Sequence, residues 1–105
     1  MKLKKTIFIV NIGASIMGMV DQNYIQNRIE AGEKGKAEVL YDLGILYSIG
    51  HGVEQDNIEA YKWFNLAAMR GMISAQVDRA ELADIMSNME ISEAQRKARE
   101  WVVTH

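Results

Sequence analysis

The sequence predicts an all-α protein in which about five helices form antiparallel hairpins stacked as a short solenoid. The first observation behind this prediction is a 3.6-residue spacing of apolar side chains, which dominates from Asp21 onward. No segment in that range alternates polar and apolar residues with the period of two that is typical of a half-buried strand. The second observation is that glycines and helix-capping residues separate the apolar stretches.

The composition of the 105-residue chain is that of one small folded domain, with 49% apolar and 25% charged residues. The chain has no cysteine, which excludes a disulfide scaffold, a thiolate zinc site and a cysteine nucleophile. All 14 acidic residues lie after position 20. The acidic character of residues 21–105 argues against a nucleic-acid partner, because binding to phosphates requires clustered Lys and Arg side chains.

Residues 1–20 form a separate segment with the order of a secretory signal. Lys2, Lys4 and Lys5 precede an apolar stretch over residues 7–20. The stretch is shorter than the ~20 residues that span a membrane. It is also a poor site for signal peptidase, because the enzyme requires small residues one and three positions before the cut, and isoleucine stands two residues before both Ala14 and Gly18. Two interpretations stay open: an exported, periplasmic protein, or a cytoplasmic protein with an N-terminal strand or flexible tail. Membrane contact is expected only through this segment.

A helical domain is predicted over residues 21–105. Its first helix covers residues 22–33, with Ile25 and Ile29 on one face, and its second covers residues 36–49. Gly50 and Gly52 then allow a tight turn, because glycine adopts positive φ at little cost.

The third helix has a clear start and a clear end. Asp56 can cap its first turn, and Glu59 stands three residues later, as in a reciprocal capping pair. Gly71 ends the helix as a left-handed residue. One apolar stripe between these ends carries Ala60, Trp63, Phe64, Ala67 and Ala68.

Two terminal helices follow, and we expect them to cap the domain over residues 73–105. The first covers residues 73–86, and the second begins after Ser87, which forms a capping box with Glu90. The residues expected to be buried are Val77, Ala80, Leu82, Ala83 and Met86 in the first helix and Ile91, Ala94, Ala98, Trp101 and Val102 in the second. The exposed face of the second helix carries two ion pairs at four-residue spacing, Glu93–Lys97 and Arg96–Glu100.

Residues 37–71 resemble one complete unit of the Sel-one-like repeat family, which is related to the tetratricopeptide repeat. The matching positions are Leu43, Gly44, Tyr47, Gly50, Gly52, Asp56, Ala60, Trp63, Phe64, Ala67, Ala68 and Gly71. The resemblance implies a tetratricopeptide-like solenoid and a non-catalytic adaptor or scaffold that binds a protein or peptide. The family usually stacks several units, whereas this chain has one. The paired cysteines of the secreted branch of the family are absent. The antibiotic-binding activities of that branch are therefore not expected of this chain.

No residue pattern in the sequence indicates an enzyme, a cofactor or a metal site. Helix capping accounts for the carboxylates of Asp56 and Glu59, so general acid–base chemistry is not needed to explain them. His51 lies between two turn glycines with no second histidine nearby, and we expect a solvated turn residue.

The resemblance implies a binding face on the first helix of the repeat, since related repeats line their concave surface with that helix. On this chain the face comprises Glu38, Tyr41, Asp42, Ile45 and Ser48, to which Ile49 can be added. Tyr41 and Ile45 are expected to be exposed apolar anchors inside an acidic rim, as in a protein-binding patch. Two alternatives stay open, namely that the N-terminal segment covers this face or that a second copy does so in a homodimer. A further alternative is an exported module that binds peptide or glycan in envelope maintenance.

Overall fold

The computed structural model describes residues 27, 29, 30 and 35–105, and its ordered elements there are all helical. Four complete helices are present in this part of the chain: α1, Ala37–Ile49; α2, Asn57–Met69; α3, Ile73–Ala83; and α4, Asn88–Thr104. Residues 27, 29 and 30 are also helical and lie within the first helix predicted at 22–33. The all-α prediction is therefore confirmed, and about five helices is close to the observed number. The signal-like segment 1–20 lies outside the described residues.

Glycine ends α1 by adopting the left-handed conformation. Gly50 has φ of 71°, and its N–H donates to the Leu46 carbonyl at 2.9 Å. The N–H of His51 donates to the same carbonyl at 3.0 Å. The chain thus reverses immediately after the helix, since a residue with a Cβ is strained at this φ.

Asp56 begins α2 as a side-chain cap. Its Oδ1 accepts hydrogen bonds from the N–H groups of Ile58 at 2.9 Å and Glu59 at 3.1 Å. The predicted return hydrogen bond from the Asp56 N–H to the Glu59 carboxylate is not formed, because the Asp56 N–H donates to the Tyr47 carbonyl. The Glu59 carboxylate instead binds Lys62 at 2.9 Å.

The end of α2 is a Schellman motif built around Gly71, whose φ is 88°. The Gly71 N–H donates to the Ala68 carbonyl, and the Met72 N–H donates to the Ala67 carbonyl. These two bonds satisfy carbonyl groups that the helix itself leaves without a donor. They direct the chain into α3 after a short turn.

α2 is the central helix, since it packs against α1, α3 and α4. The close approach of α1 depends on Gly44, because a Cβ there would lie 2.5 Å from Cε1 of Phe64. On another side of α2, the Trp63 ring meets the Trp101 ring of α4 edge-on, with 6.3 Å between centroids. Packed hairpins of this kind form the predicted solenoid-like arrangement.

α3 differs from its prediction in length and in rotation. It ends at Ala83, because the N–H groups of residues 84–86 donate to carbonyl groups three residues earlier in the chain. This tighter turn places Met86 in the core. It buries Asp78, whereas Val77 is 52% exposed and Ala80 is also exposed. The apolar stripe expected through Val77 and Ala80 is therefore wrong. A polar residue takes the inner position because Asp78 has a hydrogen-bond partner on α1.

The capping box of α4 is present as predicted. Ser87 Oγ accepts from the Glu90 N–H at 3.1 Å, and Glu90 Oε1 accepts from the Ser87 N–H at 2.8 Å. The helix buries Ala94, Ala98 and Trp101. Val102 was expected on this face, but it is 43% exposed, since Trp101 already occupies the contact with α2.

One of the two ion pairs expected on α4 is formed. Arg96 binds Glu100, as predicted, and it also binds Glu93. The expected Glu93–Lys97 ion pair is replaced, because Lys97 reaches across to Glu59 of α2 at 3.2 Å. A contact between helices thus takes the place of a contact within one helix.

Candidate functional site

A groove of about 280 Å³ lies between α1 and α3, and α2 contributes to its floor. Its volume is near the lower end of the range for binding pockets, ~300–1,000 Å³. The lining residues come from α1, from the turn into α2, from α2 and from α3 with the residues that follow it. They are Ile45, Ser48, Ile49, Gln55, Asn57, Phe64, Asp78, Glu81, Leu82 and Ile85.

The floor of the groove is apolar. Ile45 of α1, Phe64 of α2 and Leu82 of α3 are buried and belong to one hydrophobic cluster. Phe64 reaches this position because Gly44 leaves room for its ring against α1. The tilted contact between the rings of Tyr41 and Phe64, with 5.6 Å between centroids, further fixes the floor.

A hydrogen bond ties the two walls of the groove together. The Tyr41 hydroxyl of α1 donates to Oδ2 of Asp78 in α3 at 2.6 Å. Both residues lie one helical turn before a floor residue, Ile45 in α1 and Leu82 in α3. The bond therefore holds the helices together at one end of the groove, and it gives the 6%-exposed Asp78 carboxylate a donor.

The surroundings of Tyr41 keep its hydroxyl protonated. Burial raises the pKa of Tyr41 above its ordinary value of 10.0, and the carboxylates of Asp42 and Glu81 raise it further. The phenol therefore stays a hydrogen-bond donor to Asp78 at neutral pH. The smaller contributions of Asp42 and Glu81 to this shift come from their negative charges beside the groove.

Neutral polar groups line the opposite end. Ser48 Oγ donates to the Ile45 carbonyl within α1 at 2.9 Å. Gln55 Nε2 donates to Asn57 Oδ1 at 2.5 Å and lies 3.5 Å from the Ser48 carbonyl oxygen. These bonds position amide and hydroxyl groups at the rim, where they can exchange hydrogen bonds with a bound main chain.

The residues of the predicted binding face divide between the groove and its surroundings. Ile45 and Ser48, together with Ile49, line the groove. Tyr41 is half-buried behind its Asp78 contact, Asp42 is half-buried, and Glu38 is exposed on the first turn of α1. The exposure expected for Ile45 is wrong, because only 8% of its surface is accessible. Ile45 belongs to the floor, where α2 and α3 pack around it.

Half of the residues that line the groove are not indicated by any motif in the sequence. Asp78, Glu81 and Ile85 come from the wall that α3 provides, and Gln55 and Asn57 come from the turn before α2. One available signal was Asp78, a polar residue set between the small and apolar Ala75 and Leu82 at the spacing of a buried stripe. A carboxylate at such a position predicts a specific partner on a neighbouring helix.

His51 is not a simple solvated turn residue as expected. It is half-buried, and its Nε2 is buried with no hydrogen-bond partner among the described residues. Across residues 27, 29, 30 and 35–105, no group of three or more His, Cys, Asp or Glu side chains is placed to hold a metal ion. Within the same ranges, no helix has both the length and the apolar character needed to cross a membrane.

Comparison with known families agrees with this geometry. The family model described as the Sel1 repeat matches residues 37–72, which span α1, the turn after it, α2 and its Schellman end. No curated protein matches the chain. Sel1 repeats generally mediate protein–protein interactions and are generally non-catalytic.

Proposed function

We propose that this chain, which carries a Sel1 repeat over residues 37–72, is a non-catalytic module that binds a protein or peptide segment in the groove between α1 and α3. By holding that segment it acts as an adaptor or scaffold in the assembly of a complex. The observation that carries the proposal is the groove itself, with an apolar floor and a rim of polar side chains. The first helix of the matched repeat forms one wall, which brings Ile45 and Ser48 of the expected binding face into the site.

The construction of the groove supports binding without a large rearrangement. Its floor is part of the hydrophobic core, and the Tyr41–Asp78 hydrogen bond connects its walls. A preformed site avoids part of the entropy loss that accompanies binding to a mobile surface. Ile85, which is 62% exposed, supplies an apolar contact that a partner can cover.

The test is site-specific photo-cross-linking of the full-length chain in its native cells. In one variant, a photoreactive benzoylphenylalanine replaces Ile85. In the control, it replaces Val103 of α4, which is also an exposed apolar residue. We expect a discrete cross-linked partner protein from position 85 and none from position 103. Identical products from both positions, or no product, would contradict the proposal. Cross-links from position 85 only to a second copy of the chain would favour the homodimer.

The exported alternative is favoured by one specific observation, the basic and apolar order of residues 1–20. In that case the module acts in the periplasm or at a membrane surface, where it binds peptide or glycan in envelope maintenance. Cell fractionation with intact-mass measurement separates the two. A chain outside the cytoplasm that is lighter than 11.9 kDa supports export, and an unprocessed chain in the cytosol supports an intracellular adaptor.

A further inference from the structure

We infer that the groove between α1 and α3 binds its protein segment in an extended conformation, with the side-chain amides of Gln55 and Asn57 holding the main chain and one large apolar side chain covering Ile85. This inference rests on the proposed function, since it specifies how the segment in the groove is recognised. The ligand class is a peptide segment that combines an accessible main-chain edge with a leucine- or phenylalanine-sized side chain.

Gln55 and Asn57 bond to each other at the rim of the groove and keep one complementary pair of groups for a ligand. Gln55 Nε2 donates to Asn57 Oδ1 at 2.5 Å and lies 3.5 Å from the Ser48 carbonyl oxygen. Among the described residues, no hydrogen bond reaches Gln55 Oε1 or Asn57 Nδ2. The rim therefore offers an acceptor beside a donor. Turning both amides over exchanges their roles and again leaves one acceptor and one donor.

The turn between α1 and α2 fixes this amide pair. The Asp56 N–H donates to the Tyr47 carbonyl at 3.0 Å, which ties the turn to the end of α1. Gly50 lets the chain return closely, since a Cβ there would lie 2.9 Å from Cβ of Gln55 and 3.1 Å from its backbone nitrogen. Asn57 is the first residue of α2. Both amides are thus attached to an anchored backbone, which lowers the entropy cost of holding a ligand.

An extended segment has the hydrogen-bonding pattern that this pair of amides requires. One residue of an extended chain presents its N–H and its C=O on the same edge, as it does to a neighbouring strand. The N–H donates to Gln55 Oε1, and the C=O accepts from Asn57 Nδ2. A helical segment cannot make both bonds, because its main-chain groups are bonded to each other. The complementarity of donor with acceptor therefore favours an extended ligand.

The apolar part of the groove accepts one large side chain. Ile85 is 62% exposed and Ile49 is half-buried, and they line the groove together with the buried Phe64 and Leu82 of its floor. An apolar side chain placed here removes both isoleucines from water, which is favourable in proportion to the area that is covered. The volume of about 280 Å³ limits the ligand to one such side chain with the main chain beside it.

The two contacts together set the specificity of the groove. Main-chain hydrogen bonds contribute affinity for any sequence, whereas the apolar surface at Ile85 distinguishes one side chain from another. A hydrophilic segment would leave both isoleucines exposed. A segment whose main-chain N–H is blocked would leave the amide oxygen at the rim without a donor. The tightest binding therefore requires both an accessible main-chain edge and a large apolar side chain.

The experiment is a peptide titration of the nitrogen-15-labelled full-length chain, followed by two-dimensional NMR, in which Asn and Gln side-chain amides give their own signals. The probe is acetyl-Gly-Ser-Leu-Ser-Gly-amide. One companion peptide has serine in place of leucine, and two others carry an N-methyl group on the leucine or on the serine that follows it. We expect the probe to shift the side-chain amide signals of Gln55 and Asn57. It should bind about tenfold or more tightly than the serine companion, and about fivefold or more tightly than at least one N-methylated peptide.

A double variant and a matched control test the contact with the main chain. Gln55→Ala/Asn57→Ala should weaken binding of the probe about fivefold or more, and it should discriminate much less against the N-methylated peptide. Loss of this discrimination identifies the amides as the partners of the main chain, because methylation would otherwise affect parent and variant alike. The control is Asn88→Ala/Gln95→Ala, which removes one amide from the first residue of α4 and another from its exposed surface. It should bind and discriminate like the parent.

The apolar contact is tested by Ile85→Ser, which should weaken binding of the probe about fivefold or more. Val103→Ser removes an exposed apolar side chain from α4 and should bind the probe like the parent. Circular dichroism and thermal melting confirm that each variant keeps its helices.

The outcomes distinguish this inference from the proposed function. No binding of the probe, equal binding of the probe and both N-methylated peptides, or equal losses in groove and control variants would overturn the inference. So would a cross-linked partner whose segment at position 85 is helical or lacks a large apolar side chain, although the adaptor function would then stand. A cross-link from position 85 to residues 1–20 of the same molecule would also overturn it, because the groove would be covered by the chain itself. Absence of any partner at position 85 contradicts the proposed function instead.

Discussion

Gly44 sets the distance between α1 and α2 at the scale of a single residue. The missing side chain leaves space that the Phe64 ring fills, and that ring is also part of the groove floor. One glycine therefore connects the packing of the hairpin with the shape of the candidate site. Any Cβ at this position must move Phe64 or separate the helices.

We predict that Gly44→Ala lowers the free energy of unfolding by about 1–3 kcal/mol, because the added methyl group overlaps the Phe64 ring. Urea unfolding followed by circular dichroism measures the change. The control is a double-mutant cycle with Phe64→Leu, which replaces the phenyl ring with a smaller side chain. If the clash is the cause, the double variant loses less stability than the two single variants together. Strict additivity would show that the two side chains do not interfere.

The helices differ at the scale of elements in how they begin. Side chains cap α2 and α4, through Asp56 and Ser87. The residues before α1 and α3, Lys36 and Met72, make no side-chain capping bond. The two capped starts were also the clearest start signals in the sequence, since Asp and Ser accept backbone N–H groups that the first turn leaves without a partner.

We predict that Ser87→Ala destabilises the protein by about 1 kcal/mol, because the Glu90 N–H loses its acceptor and the capping box is broken. The matched control is Ser92→Ala, an exposed position within the same helix, where alanine has the higher helix propensity. Chemical denaturation of both variants should show a loss for Ser87→Ala and little change or a gain for Ser92→Ala. Equal effects would mean that the capping box contributes nothing measurable.

At the scale of the whole molecule, α2 holds the other helices together. Glu59 of α2 binds Lys62 in its own helix and Lys97 in α4, and therefore joins two helices that are distant in sequence. Burial alone would raise the pKa of Glu59, but the hydrogen bonds and charges of the two lysines outweigh it and lower the pKa below its ordinary value of 4.5. The ionised carboxylate is thus favoured in the folded protein.

This pKa shift predicts how stability depends on pH. A carboxyl group with a lowered pKa in the folded state stabilises the protein above its unfolded pKa, and this contribution is lost as the pH falls through the folded pKa. Melting temperatures of the parent and Glu59→Gln should therefore differ most near pH 7, and the difference should narrow below pH 4.5. The control is Glu38→Gln, which removes an exposed carboxylate from the first turn of α1. A constant difference for Glu59→Gln across this range would contradict the assignment.

Features that depend on neighbouring residues could be predicted from the amino-acid sequence alone. Helix starts at Asp56 and Ser87 and reversals at Gly50 and Gly71 follow from backbone conformation and local hydrogen bonding, which a few adjacent residues control. The aromatic core around Trp63 and the match to a known repeat follow from the spacing of apolar and small residues.

The rotation of each helix and the contacts between distant residues depend instead on how the helices pack together, so they could not be predicted from the sequence. The burial of Asp78 in place of Val77 depends on Tyr41, which lies 37 residues earlier in the chain. The pairing of Lys97 with Glu59, rather than with Glu93, likewise depends on how α4 packs against α2. Helical periodicity shows that one side of a helix is apolar, but a side chain's burial also depends on the shape and polarity of the helix opposite. The groove belongs to this second class, since its walls come from two helices that are brought together by packing on a third.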